Sequence, residues 1–134
     1  MSQENVEVVE RGYAAFGRRD VPAMVELLSE DFELDISGHP VPDFPDYGVG
    51  AEHFVNFLAT YLSGFDDYTL RIMRLMEAGD EIVVLLHDSA RIRGSEAIVE
   101  RDLAHVWTVR SAKLCRLRAY NAHEEALEAV GLSE

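Results

Sequence analysis

His105, Trp107 and Arg101 fall at alternate positions in the stretch Ala97 to Tyr120, which reads as two extended runs either side of a short turn. Alternation along a strand puts Arg101, Leu103, His105 and Trp107 on one face. With a reference pKa near 6.5, an imidazole can donate to a carbonyl oxygen or shuttle a proton at neutral pH, and His105 is the leading candidate for chemistry. His87, on the strand before it, is the second. The face it shares with Leu85, Ser89 and Arg91 should continue that of His105 across the ladder. A slip of one residue would instead turn His87 outward and bring Asp88 inward. Two histidines with Asp88 or Asp35 form no metal-ligand spacing such as H-x-x-x-H, so no metal site is expected. His39, His53 and His123 have no partner spacing and receive no role.

The elements that must position these residues follow from periodicity. Val6, Val9, Tyr13 and Phe16 recur at helical spacing after Ser2, and Gly17, Arg18 and Arg19 end that first helix. Asp20 caps a second, with Pro22 in its first turn. Phe32, Leu34 and Ile36 alternate with Glu33 and Asp35 as a half-buried strand. Prolines at 40, 42 and 45 make His39 to Gly50 a loop, through which neither helix nor ladder should persist. Phe54, Phe57, Leu58, Tyr61 and Leu62 mark a third helix with an aromatic face. Strands follow at Tyr68 to Glu77, Ile82 to Ile92, Ala97 to Arg110 and Lys113 to Tyr120. The unbroken IVVLL of the second implies burial on both faces. Asn121 should cap a last helix that stops at Gly131, with Glu124 completing a capping box. The expected architecture is α+β, a curved antiparallel sheet wrapped around three N-terminal helices, in one domain over residues 1–134.

Composition narrows the partners. Twelve basic against 25 acidic residues give a net charge of -13, which repels phosphate backbones and anionic lipid, so neither nucleic acid nor membrane is expected. The N-terminus MSQENVEVVE is acidic, unlike a signal peptide, and a cytoplasmic setting is expected. Cys115, the one cysteine, is assigned to packing. No phosphate-cradling glycine loop or nucleotide fingerprint is present, and no cofactor is expected.

The order of elements, RGYAAFGRRDVPAMVELLSEDFEL near the start and RDLAHVWTVRSAKLCRLRAY near the end resemble the SnoaL-like branch of the NTF2-like superfamily over nearly the whole chain. The resemblance implies a cone-shaped domain with a small-molecule pocket, pairing as a homodimer through the outer sheet face, where Arg116 and Arg118 should lie. It leaves activity open, because relatives include ketosteroid isomerases, polyketide cyclases, dehydratases, epoxide hydrolases and non-catalytic binding modules. The ketosteroid isomerase base falls at Ile36 and its tyrosine at Gly12, so that route is not expected. Its late-strand aspartate falls on or beside His105, and polyketide-cyclase relatives carry a histidine near this place. The expectation is a small, largely apolar organic ligand contacted by Tyr13, Phe16, Phe57, Tyr61, Arg101, Leu103, Trp107 and Asn121, with His105 and His87 as catalytic groups. The alternative is a binding domain with no turnover.

Overall fold

The computed structural model describes residues 2–132. The element order is α1 (Ser2–Gly17), α2 (Val21–Glu26), β1 (Leu28–Gly38), β2 (Tyr47–Val49), α3 (Ala51–Leu62), β3 (Phe65–Ala78), β4 (Glu81–Ile92), β5 (Ile98–Arg110), β6 (Lys113–Tyr120) and α4 (His123–Ala129). The six strands form one curved, unclosed sheet in the order β2-β1-β6-β5-β4-β3. Neighbours are antiparallel except β1 and β6, which run parallel, with Leu34 opposite Leu117.

Local chemistry explains the boundaries. Helix α1 ends because Arg19 takes a left-handed conformation at φ 56°, and the amides of Arg19 and Asp20 close back on the carbonyls of Phe16 and Ala15 at 2.9 Å each. The helix runs through Gly17, as expected, and Arg19 makes the left-handed turn that closes it. Its guanidinium donates to the carbonyls of Phe16 (2.7 Å) and Tyr68 (2.8 Å), tying the end of α1 to β3. Asp20 caps α2 by accepting from the Ala23 amide at 3.2 Å. Two expectations need correction. A three-residue ladder, β2, forms inside the segment read as pure loop; it begins at Tyr47, beyond the last proline at 45, so no missing amide opposes it. The N-cap of α4 is Ala122, with no side-chain cap, and Asn121 stands one position too early for that role.

The sheet has two differently covered faces. Inward on the concave side lie Phe32, Leu34, Ile36, Ile82, Val84, Leu86, Leu103 and Trp107, packed against α1, α2 and α3. On the convex side Val83, Leu85, Ala104 and Val106 pack against Ala126 and Leu127 of α4. The middle of β4 is thus apolar at every position because both of its faces are covered. Gly38 closes the seam between β1 and β6, since a Cβ there would lie 2.6 Å from the Ala119 carbonyl oxygen. Among the described residues no helix is long and apolar enough to cross a membrane.

Candidate functional site

Between the concave face and the helices lies a cavity of about 70 Å³. Its wall is almost wholly apolar, including Phe54, Phe57, Leu58, Leu70 and Leu114. Such a volume holds a few waters; an apolar cavity that admits benzene has about 150 Å³, so a ring-sized ligand requires the wall to yield. Behind the wall, Phe44, in the segment before β2, packs its ring 5.0 Å from His53 and 5.7 Å from the wall residue Phe57.

Tyr13, His105 and Trp107 meet in the deepest polar group. The Tyr13 hydroxyl stands 2.6 Å from Nδ1 of His105 and accepts from Trp107 Nε1 at 2.8 Å. The hydrogen inventory decides the tautomer. If the Tyr13 O–H donates to Nδ1, the phenol hydrogen and the Trp107 N–H are both satisfied and the imidazole proton sits on Nε2. The opposite arrangement would leave the phenol hydrogen buried without an acceptor, at a cost of about 1–3 kcal/mol. Nε2 has no hydrogen-bond partner among the described residues, yet it is not one of the sealed, unpartnered atoms. His105 lines the cavity. Burial, and then the neighbouring His39 imidazole, pushes His105 down to about 3, so the ring is neutral at pH 7. Burial likewise drives the Tyr13 phenol well above its ordinary range. The pair therefore offers a neutral N–H donor in a dry site, suited to polarising a carbonyl oxygen and poorly suited to abstracting a proton.

A second polar group backs the wall. Asp88, 2% exposed, accepts from Tyr68 (2.7 Å), Tyr61 (3.3 Å) and both Nε (3.3 Å) and Nη2 (2.8 Å) of Arg101. Arg101 also donates to the Tyr61 hydroxyl at 2.6 Å. Tyr61 and Tyr68 line the cavity, whereas Asp88 and Arg101 stand behind them.

The structure brings Tyr13, Phe16, Phe57, Tyr61, Leu103, His105 and Trp107 to one cavity. It does not bring His87 there. That ring lies on the convex side, between Asp102 (2.9 Å) and Glu100 (3.0 Å), and these two carboxylates raise its pKa. Asp88 takes the inward place, which is the one-residue slip. Asn121 is exposed just past the end of β6 and does not line the cavity, though it lies near enough to His39 to influence its protonation. Ile36 is fully buried and Gly12 lines the wall; the phenol one position on, Tyr13, is the one that reaches His105. Sequence reasoning missed His39, 8% exposed, which lines the cavity with its ring 6.0 Å from Tyr61. Its only sequence signal was its place at the end of an alternating strand. Among the described residues no three His, Cys, Asp or Glu side chains gather as a metal-holding group.

The model of the SnoaL-like domain family matches residues 9–117. The chain belongs to this family. The SnoaL-like fold is shared with an NTF2-like protein of unknown function from Burkholderia pseudomallei, 20% identical, covering 95% of this chain and 97% of that one, at a TM-score of 0.79. TerC, crystallised with polyporic acid, is 22% identical over 95% of this chain and 97% of its own, at 0.78. A putative SnoaL-like polyketide cyclase from Jannaschia sp. CCS1 is 18% identical over 98% and 94%, at 0.77. At these identities the likeness speaks for the SnoaL-like fold alone. No curated protein matches.

Proposed function

We propose that this SnoaL-like domain binds a small, largely apolar ring compound and polarises its carbonyl oxygen through Nε2–H of His105, easing cofactor-free isomerisation, cyclisation or dehydration. One observation carries the reading: Nδ1 of His105 is anchored by Tyr13 while Nε2 is unpartnered among the described residues and not fully covered, on a ring that lines the cavity. A fixed N–H in a low-dielectric pocket stabilises an oxyanion better than water does, because its dipole is already aligned. The apolar wall supplies binding energy in proportion to the area it takes from water. A relative crystallised with polyporic acid and another described as a putative polyketide cyclase are in keeping with an oxygenated ring ligand. A lone thiol, Cys115, is compatible with a reducing, cytoplasmic setting.

Acetophenone provides the test. In D₂O, with ligand near saturation, the protein should accelerate deuterium uptake at the acetophenone methyl group, followed by NMR, and His105→Phe should abolish the acceleration. Binding without accelerated exchange would leave a non-catalytic binding domain. That second reading has its own support: Asp88, the carboxylate nearest the wall, is held by three side chains and is not free to act as a base. Homodimer formation through the outer sheet face belongs to the same proposal. There, Asp35 and Arg116 (3.7 Å), and Glu81 and Arg118 (2.5 Å), form paired charges, and Nε atoms of both arginines are buried without partners.

A further inference from the structure

We infer that His39 is the second polar contact of the cavity's ligand, and that this ligand carries two oxygen functions on its ring skeleton, one at His105 and one at His39. The inference rests on the reading that the cavity takes a carbonyl compound. His39 follows the last residue of β1, and its backbone is fixed by the amide donating to the Ile36 carbonyl at 2.9 Å. Its ring is buried and lines the same cavity as His105. Yet Nδ1 of His39 has no hydrogen-bond partner among the described residues and is covered by its surroundings, so the same yielding of the wall that admits a ring-sized ligand must uncover it. Buried polar atoms in folded proteins are nearly always paired, and the exceptions concentrate where a ligand or a bound water completes the set.

The surroundings specify what the partner is. The groups that face His39 electrically are Arg101, Asp88 and the side chain of Asn121. Burial and the Arg101 cation both favour the neutral imidazole there. Asp88 and Arg101 already satisfy each other and Tyr61, so they leave no net charge for an anionic ligand to meet. A neutral ring able to donate at one nitrogen and accept at the other suits a hydroxyl, enol or second carbonyl. With His105 supplying the other neutral donor, the pocket is matched to hydroxy-ketones and diketones rather than to hydrocarbons, carboxylates or amines. The one-position shift between Asp88 and His87 removes the expected second imidazole, and His39 supplies one from just beyond the end of β1.

The test uses three matched probes: ethylbenzene, acetophenone and 4-hydroxyacetophenone, titrated by calorimetry. Wild type should prefer acetophenone to ethylbenzene, and 4-hydroxyacetophenone to acetophenone, each by about tenfold, equivalent to about 1.4 kcal/mol. His39→Phe should erase only the second step and His105→Phe only the first, while His39→Gln restores part of the second. Should His39→Phe leave the second step intact, the inference fails while the carbonyl reading stands. If the first step is absent in wild type or survives His105→Phe, that reading fails instead. Failure of all three probes to bind overturns both. If the His39 variants do not fold, ¹⁵N-histidine spectra of wild type decide: 4-hydroxyacetophenone should move the His39 Nδ1 resonance and acetophenone should not, and equal or absent shifts overturn the inference.

Discussion

A neutral histidine inside a protein fixes the sign of its pH dependence. His105 is pushed down to about 3 from an ordinary 6.5, so between those values the unfolded chain binds a proton that the folded chain refuses. Its contribution to stability is complete above about pH 6.5 and is lost as the pH falls toward 3. His39 is shifted in the same direction. His87 is shifted the opposite way, contributing below its ordinary pKa and fading as the pH rises through its raised one; exposed to solvent, it is a small term. Urea unfolding should therefore show wild type weaker at pH 5 than at pH 6.5, by up to about 2 kcal/mol from His105, and His105→Phe should flatten that slope. Tyr13→Phe tests the anchoring bond. It strands Nδ1 of His105 and the Trp107 N–H, and should cost about 1–3 kcal/mol of unfolding free energy. It should also weaken acetophenone binding, since the freed imidazole can then exchange tautomers. These roles were only partly legible in the sequence. Alternation identified the face of His105 and Trp107, but a hydrogen bond between Tyr13 and His105 joins helix and strand across most of the chain and leaves no periodic trace.

Among the elements, periodicity read the helices and long strands well because each buries one face. It failed where that premise failed. Strand β4 is covered by α1 and the cavity wall on one side and by α4 on the other, so its IVVLL run carries no phase from which to orient His87 or Asp88. Strand β2 is three residues long, too short for alternation to register, and the parallel pairing of β1 with β6 is a property of topology that no local pattern encodes. The two-sided covering makes a prediction at this scale. Leu127, 2% exposed, fills the outer cluster, and Leu127→Ala should cost about 2–5 kcal/mol in denaturant unfolding. Acetophenone affinity should not change at temperatures where the variant stays folded, because Leu127 touches the sheet from the side opposite the cavity.

For the molecule as a whole, the proposed pairing brings together two strongly acidic chains through their convex faces. If two copies pair through that face, sedimentation equilibrium should return twice the chain's mass at micromolar concentration. Arg116→Glu together with Arg118→Glu should return the monomer, since like charges would then meet Asp35, Glu33 and Glu81 across or beside the contact. A sedimenting monomer in wild type would remove the pairing.

The seam between β1 and β6 has a consequence for how the molecule is made. Leu34 has Gly48 of the short β2 on one side and Leu117 on the other, so a chain emerging from the ribosome holds the inner edge of its first strand unpaired until the last has been synthesised, and contacts so distant in sequence slow folding. The cavity draws Tyr13 from one end and His105 from near the other, and for that reason takes shape late. Trp107, the sole indole of the protein, stands inside it as a built-in reporter: on dilution from denaturant, its fluorescence should reach the native value in the slowest kinetic phase, after far-ultraviolet dichroism has recorded the helices.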